Sequence, residues 1–208
     1  MRPSTPLALV FALAAALVIA LAAKPAQAAT PDIDKPAPAL AGHDEAGKPV
    51  DLTQFRGHAV VLEWTNNGCP FVRHVYSSGV MQGLQKRAAA QGVVWLTVIS
   101  SAPGKQGYLT PPQVRQWKSA TGAAPADVLL DPSGAIGRTY GARATPTLYL
   151  VDPRGVLIYM GGIDDRPSTD PADAKQAKNY IALALDDLKA GRPIADKVTP
   201  PYGCSVKY

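Results

Sequence analysis

The sequence runs to 208 residues, 47% apolar and 18% charged, with 21 lysines and arginines against 16 acidic residues for a formal charge of +5. That length builds one well-buried core rather than two ordinary domains, and the composition excludes a disordered or fibrous chain. The basic residues are scattered, and without Arg2 and Lys24 of the N-terminal segment the formal charge is +3, so the charge does not point to a nucleic-acid partner.

Arg2 is the only charge before an apolar run from Leu7 to Ala23, and Ala26-Gln27-Ala28 then fits the small-x-small pattern of signal-peptidase cleavage. Residues 1–28 are therefore expected to be a removed signal peptide, with a mature chain starting near Ala29. The run is also close to the lower limit for a membrane span, which makes an uncleaved anchor the alternative. Nothing later reads as a transmembrane helix. Export would place the protein in the periplasm or outside the cell, off the membrane after cleavage and where disulfides persist.

From Ala29 to about Lys48 the Pro, Ala, Gly and Asp content predicts an extended arm, with "DEAGKPV" as a turn between short strands. "VVLEW" (Val60 to Trp64) and "VVWLTVIS" (Val93 to Ser100) are short apolar runs rich in β-branched residues, as expected of parallel strands covered on both faces. Between them Val72, Tyr76, Val80, Leu84 and Ala88 recur every fourth residue and predict a helix kinked near Ser77-Ser78-Gly79, stopped by Gln91-Gly92. A loop "SAPGKQGYLTPP", a short helix opened by proline ("PPQVRQWKSATG") and a buried strand "DVLLD" (Asp127 to Asp131) follow. "PSGAIGRTYGARATP" carries a helical turn or two. "TLYLVD" and "VLIYMGG", separated by "PRG", predict an antiparallel hairpin. A last helix is expected from an Asp170 cap and Pro171, through a stripe of Ala177, Ile181, Ala184, Leu185 and Leu188, to Gly191 and Pro193. The expected domain is 29–192, with a tail over 193–208.

This alternation makes an α/β chain with a mixed sheet, and sites in such sheets lie beyond the carboxyl ends of the parallel strands. Cys69, one of two cysteines, falls five residues past the end of "VVLEW". With Pro70 as the first helical residue, Cys69 is the N-cap, where unpaired amides favour a thiolate and depress the thiol pKa. Gly68 is expected to leave the approach open to a second sulfur or a peroxide. The alternative is an inert buried residue or half of a structural staple.

Thr145-Pro146 immediately precedes a strand, and at this point the chain resembles the thioredoxin-like superfamily. "NGCPFVRH", "VVWLTVISSAPGKQGY", "GARATPTLYLVDPRG", "GGIDD" and "PYGCSVKY" are together similar to its redoxin or peroxiredoxin-like (AhpC/TSA-type) branch, found as exported bacterial proteins. The resemblance covers nearly all of the mature chain. It implies a thioredoxin-like fold, Cys69 as nucleophile, and Pro146 as a cis-proline beside which the backbone of Thr145 pairs with an extended peptide. Two departures stand out. No second cysteine lies three residues from Cys69, where Asn66 and Val72 stand. Asn66 and Leu62 occupy the places of the hydroxyl residue and upstream proline of a peroxiredoxin site.

Cys204, in the tail, could resolve a sulfenic acid or mixed disulfide on Cys69, within one chain or from a partner subunit, and a proline- and glycine-containing tail suits such movement. It could equally be a staple that closes a long loop and adds about 2–5 kcal/mol. Glu63 is a candidate buried proton carrier, with exposure to solvent the expected case. Arg143 is a candidate anion-holding residue beside Thr145-Pro146. Arg73 and His74 are expected on a solvated helix face, and His43 and His58 give no metal-ligand spacing. Two functions remain open. One is an exported thiol oxidoreductase acting on a protein disulfide or small hydroperoxide, with a periplasmic thiol reductant, no cofactor and room for a homodimer. The other is a non-enzymatic binding module stabilised by a Cys69–Cys204 disulfide.

Overall fold

The computed structural model describes residues 31–208, so the signal-peptide expectation lies outside the described residues. The chain enters through a hairpin, β1 (Ala41–Asp44) and β2 (Pro49–Asp51), whose turn closes on the Asp44 carboxylate; its Oδ1 accepts the amides of Ala46 and Lys48 at 2.8 Å each. β3 (Val60–Trp64), β4 (Val94–Ile99) and β5 (Asp127–Leu130) are the three apolar runs, and they pair in parallel. β7 (Thr147–Val151) and β8 (Leu157–Gly161) form the antiparallel hairpin around Asp152–Gly155, and β7 lies antiparallel to β3. The seven-stranded order is β2-β1-β5-β4-β3-β7-β8. Two further short strands, β6 (Ala144–Thr145) and β9 (Cys204–Ser205), pair only with each other.

Alternation along β3 divides the core. Val61 packs with Val72, Val75, Leu84, Ile181 and Leu185 on one face. Val60, Leu62 and Trp64 pack with Leu129, Ile136 and Tyr140 on the other. The first face is covered by α1 (Pro70–Ser77), α2 (Val80–Ala90) and α6 (Tyr180–Lys189), with α5 (Pro171–Gln176) packed on α1; α3 (Pro111–Thr121) and α4 (Ala135–Thr139) complete the layers.

The expected kink is a full break. Gly79 sits at φ 79° in the left-handed region that glycine alone adopts freely, and α2 restarts after it. The predicted final helix is also two. Asp170 and Pro171 open α5 as expected, but Ala177 is already extended (φ −67°, ψ 145°). Asn179 then caps α6 by accepting the Ala182 amide at 2.9 Å. Local capping chemistry therefore overrides the apolar stripe there, and Ala174 rather than Ala177 is buried. Among the described residues no helix is long and apolar enough to cross a membrane.

Candidate functional site

The segment between β3 and α1 is braced by a side chain. Asn66, 1% exposed, accepts the Gly68 amide on Oδ1 at 2.8 Å and donates Nδ2 to the Gln106 carbonyl at 3.3 Å, while Gln106 returns a bond to the Gly68 carbonyl at 3.0 Å. The position that departed from the peroxiredoxin pattern thus fixes the backbone that leads into Cys69. Cys69 is extended (φ −78°, ψ 125°), its amide donates to the Asn66 carbonyl at 2.9 Å, and Pro70 opens α1, so the sulfur sits at the N-cap.

The expected open approach is absent. Cys69 is 0% exposed. The C-terminal segment lies across it, with β9 antiparallel to β6 in a register that opposes Cys204 to Thr145 and Ser205 to Ala144. The Thr145 hydroxyl donates to the Cys204 carbonyl at 3.4 Å, and the Val206 amide to the Arg143 carbonyl at 3.0 Å. Beyond the strand, the Ala102 amide donates to the Lys207 carbonyl at 2.8 Å and the Tyr208 hydroxyl to the Ala142 carbonyl at 2.6 Å. Ahead of it, the Tyr202 hydroxyl donates to Asp164 at 2.6 Å. Rather than being a loose arm, the tail is held at both ends. Gly203 (φ 121°) lets it come close: a Cβ there would meet the Thr145 carbonyl oxygen far inside van der Waals contact.

Both cysteines are free thiols, Cys69 buried and Cys204 half-buried, and they meet at Thr145: Cys69 Sγ donates to its carbonyl at 3.3 Å, and Cys204 stands opposite it in the β6–β9 register. Burial pulls the Cys69 pKa up. The Cys204 thiol, the amides of Val72 and Cys204 and the Thr145 hydroxyl outweigh it and leave Cys69 below its usual 9.0. Burial and the neighbouring Cys69 sulfur push Cys204 up to about 11. Of the pair, Cys69 is therefore the first to give up its proton and Cys204 the last. As a neutral thiol Cys69 instead has an acceptor in the Thr145 carbonyl, 3.3 Å away. The Thr145-Pro146 bond is cis, as the resemblance implied.

The remaining candidates divide. Arg143 contributes its backbone carbonyl to the tail, while its side chain is exposed. Glu63, expected in solvent, is 0% exposed beneath β3 and accepts from Tyr76 (2.9 Å), Trp95 (2.9 Å), Thr97 (3.1 Å) and Gln85 (3.3 Å). Desolvation raises its pKa, with the Trp95, Tyr76 and Thr97 bonds acting the other way. It points to the α1–α2 face because it shares that face with Val61. His74, expected on a solvated face, is 2% exposed, because α1 is packed against α5 as well as against the sheet. Among the described residues no group of three or more His, Cys, Asp and Glu side chains is arranged to hold a metal. Gln106, Asp164 and Tyr202 did not stand out in the sequence, and Asn66 did so only as a departure from the family patterns. Asp164 had one signal, an acid between apolar Ile163 and a loop.

A groove of about 690 Å³ lined by Asn67, Arg73, Tyr76 and Trp117 flanks α1, but the Cys69 sulfur does not open into it.

A sequence model of the AhpC/TSA family matches residues 33–160, so Cys69 lies inside the match and Cys204 outside it. No curated protein matches the chain. Among solved structures, an uncharacterized conserved protein from Geobacillus kaustophilus is 28% identical, with a TM-score of 0.73 over 85% of this chain and 92% of its own. A hypothetical protein from Sinorhizobium meliloti 1021 is 24% identical, with a TM-score of 0.71 over 86% and 96%. A protein from Chlorobium tepidum described as a thiol:disulfide interchange protein, DsbE, is 24% identical, with a TM-score of 0.56 over 77% and 99%. The mixed sheet and these likenesses make the fold thioredoxin-like.

Proposed function

The chain belongs to the AhpC/TSA family, and on that premise we propose that it is a dithiol oxidoreductase with Cys69 as nucleophile and Cys204 as resolving thiol. The observation that carries it is that β9 brings Cys204 opposite Thr145, to whose carbonyl Cys69 Sγ donates at 3.3 Å, and the pKa values of the two free thiols are driven apart, one down and one up. With a hydroperoxide, the Cys69 thiolate attacks the terminal oxygen, the O–O bond breaks, an alcohol leaves with a proton, and Cys69 becomes a sulfenic acid. The Cys204 sulfur then attacks, the S–O bond breaks, water leaves, and a Cys69–Cys204 disulfide holds the two lost electrons' worth of oxidation. With a disulfide substrate, attack by Cys69 releases one thiolate and resolution by Cys204 the other. An external dithiol closes either cycle and is itself oxidised.

A small oxidant suits this site better than a polypeptide. The Ala144–Thr145 edge beside Pro146, where an extended substrate strand would pair, is taken by Cys204–Ser205. Export to the periplasm or beyond is part of the proposal and rests on residues 1–28 alone. The test is peptide mapping without reductant, before and after hydrogen peroxide, in the wild type and in Cys69→Ser and Cys204→Ser. A Cys69–Cys204 bond that forms with peroxide, breaks with a dithiol and is needed for turnover is expected. Unchanged turnover in Cys69→Ser would remove the proposal.

The complete burial of Cys69 favours a second reading, a scaffold stapled by the same two sulfurs. It calls for a disulfide that resists glutathione and variants that lose stability but no activity.

A further inference from the structure

Tyr202 stands two residues before Cys204, with only Gly203 between them. Its ring lies edge-on to Phe71 of α1, 5.7 Å between centroids, and its hydroxyl donates to Asp164 Oδ1 at 2.6 Å. Asp164 is 2% exposed in the loop after β8, and the same oxygen accepts the Arg166 amide at 2.9 Å. Its second oxygen, Oδ2, is buried without a partner among the described residues, as are both ring nitrogens of His74 nearby on α1. Burial raises the Asp164 pKa, opposed by the Tyr202 and Arg166 bonds and by the His74 charge.

A carboxylate half satisfied in the interior is a poor device for stability, since a well-packed apolar side chain serves as well or better. What Asp164 does hold is the tail. Phe71 and Cys69 belong to the same first turn of α1, so fixing the Tyr202 ring and hydroxyl fixes the chain relative to the helix that carries the nucleophile. One residue later the backbone must pass Thr145 with no room for a Cβ, which leaves the intervening link little freedom.

We infer that Asp164 is a positioning residue which, through Tyr202, sets the register of the tail and so holds the Cys204 sulfur against Cys69; this rests on the dithiol reading above. The structure gives the latch three parts: the Asp164 carboxylate, the Tyr202 hydroxyl and the Phe71 ring that aims it.

The test uses the full chain as wild type, Tyr202→Phe, Asp164→Asn and the double variant. The equilibrium constant of the Cys69–Cys204 disulfide is measured against glutathione, beside the urea midpoint of the reduced protein. Tyr202→Phe keeps the ring on Phe71 and removes only the hydroxyl. The tail stays seated by its other bonds, but the Cys204 sulfur loses the anchor two residues away and with it effective concentration at Cys69, so the constant is expected to fall by a few-fold to about tenfold. Tenfold corresponds to a reduction potential raised by about 30 mV. Asp164→Asn keeps an acceptor at Oδ1 and is expected to lose less, and the double variant no more than Tyr202→Phe alone. A purely structural role would shift the urea midpoint and leave the equilibrium constant where it is, and that result overturns the inference. A wild type that forms no Cys69–Cys204 bond overturns the dithiol reading and the inference together. A bond formed equally well in wild type and Tyr202→Phe overturns the inference alone.

Discussion

Replacing Gly203 by alanine is the sharpest single test of the tail as the cover over Cys69. The added methyl would be driven into the Thr145 carbonyl oxygen, a backbone atom that cannot swing aside, at a residue whose φ of 121° is already unfavourable for a side chain. The strand must lift. Besides the β6–β9 ladder, five hydrogen bonds hold the segment in place: Tyr202 to Asp164, Thr145 to Cys204, Val206 to Arg143, Ala102 to Lys207 and Tyr208 to Ala142. At a net ~1 kcal/mol each they make opening cost on the order of 5 kcal/mol. The methyl removes the Thr145–Cys204 and Val206–Arg143 contacts, about 2 kcal/mol, which multiplies the open population about 30-fold. The assay is native-state alkylation of the reduced protein with iodoacetamide, read at the Cys69 peptide by mass spectrometry. Labelling about 30-fold faster than wild type is expected, at an unchanged near-ultraviolet spectrum. Equal labelling rates in a folded Gly203→Ala protein would show that something other than β9 shields the sulfur.

Thiolate absorbance near 240 nm should rise in two steps, the first below the usual 9.0 for Cys69 and the second near 11 for Cys204; Cys204→Ala abolishes the second, and a single step for two thiols at 9.0 shows that the two pKa values are not driven apart. Glu63 has a folded pKa raised above its usual 4.5, so its contribution to stability is full below 4.5 and is lost as pH rises through the folded value. Urea midpoints followed from acid to neutral pH should therefore fall in the wild type relative to Glu63→Gln, which does not titrate, and parallel curves contradict the assignment. Leu150→Ala, at a fully buried β7 position, is expected to cost ~2–5 kcal/mol by urea denaturation, and under 1 kcal/mol would mean that β7 is not central to the core.

The strands were legible because each is buried on both faces, which writes an unbroken apolar run into "VVLEW", "VVWLTVIS" and "DVLLD". The N-cap was legible as well, since a proline after Cys69 fixes where α1 begins. What escaped depends on partners distant in sequence. Glu63 is tolerable inside only because Trp95 and Thr97 come from the next strand and Tyr76 and Gln85 from two helices. No local pattern announces four such donors. The two-residue pairing of Cys204–Ser205 is too short to leave a periodic trace, so the tail read as mobile when it is tied down. The break before α6 did leave a mark in Asn179, a good N-cap, but the apolar spacing from Ala177 onward masked it.

A segment joined to the same chain acts as a competitor that never diffuses away. Any outside strand seeking the backbone of Ala144–Thr145 contends with Cys204–Ser205 at an effective concentration of order millimolar or above, the range for short tethers. Guests that bind an empty edge at micromolar strength are thereby weakened about a thousandfold or more. Selectivity at this groove is thus set as much by the resident occupant as by the walls, and removing its grip, rather than enlarging the cleft, is the route to admitting larger visitors.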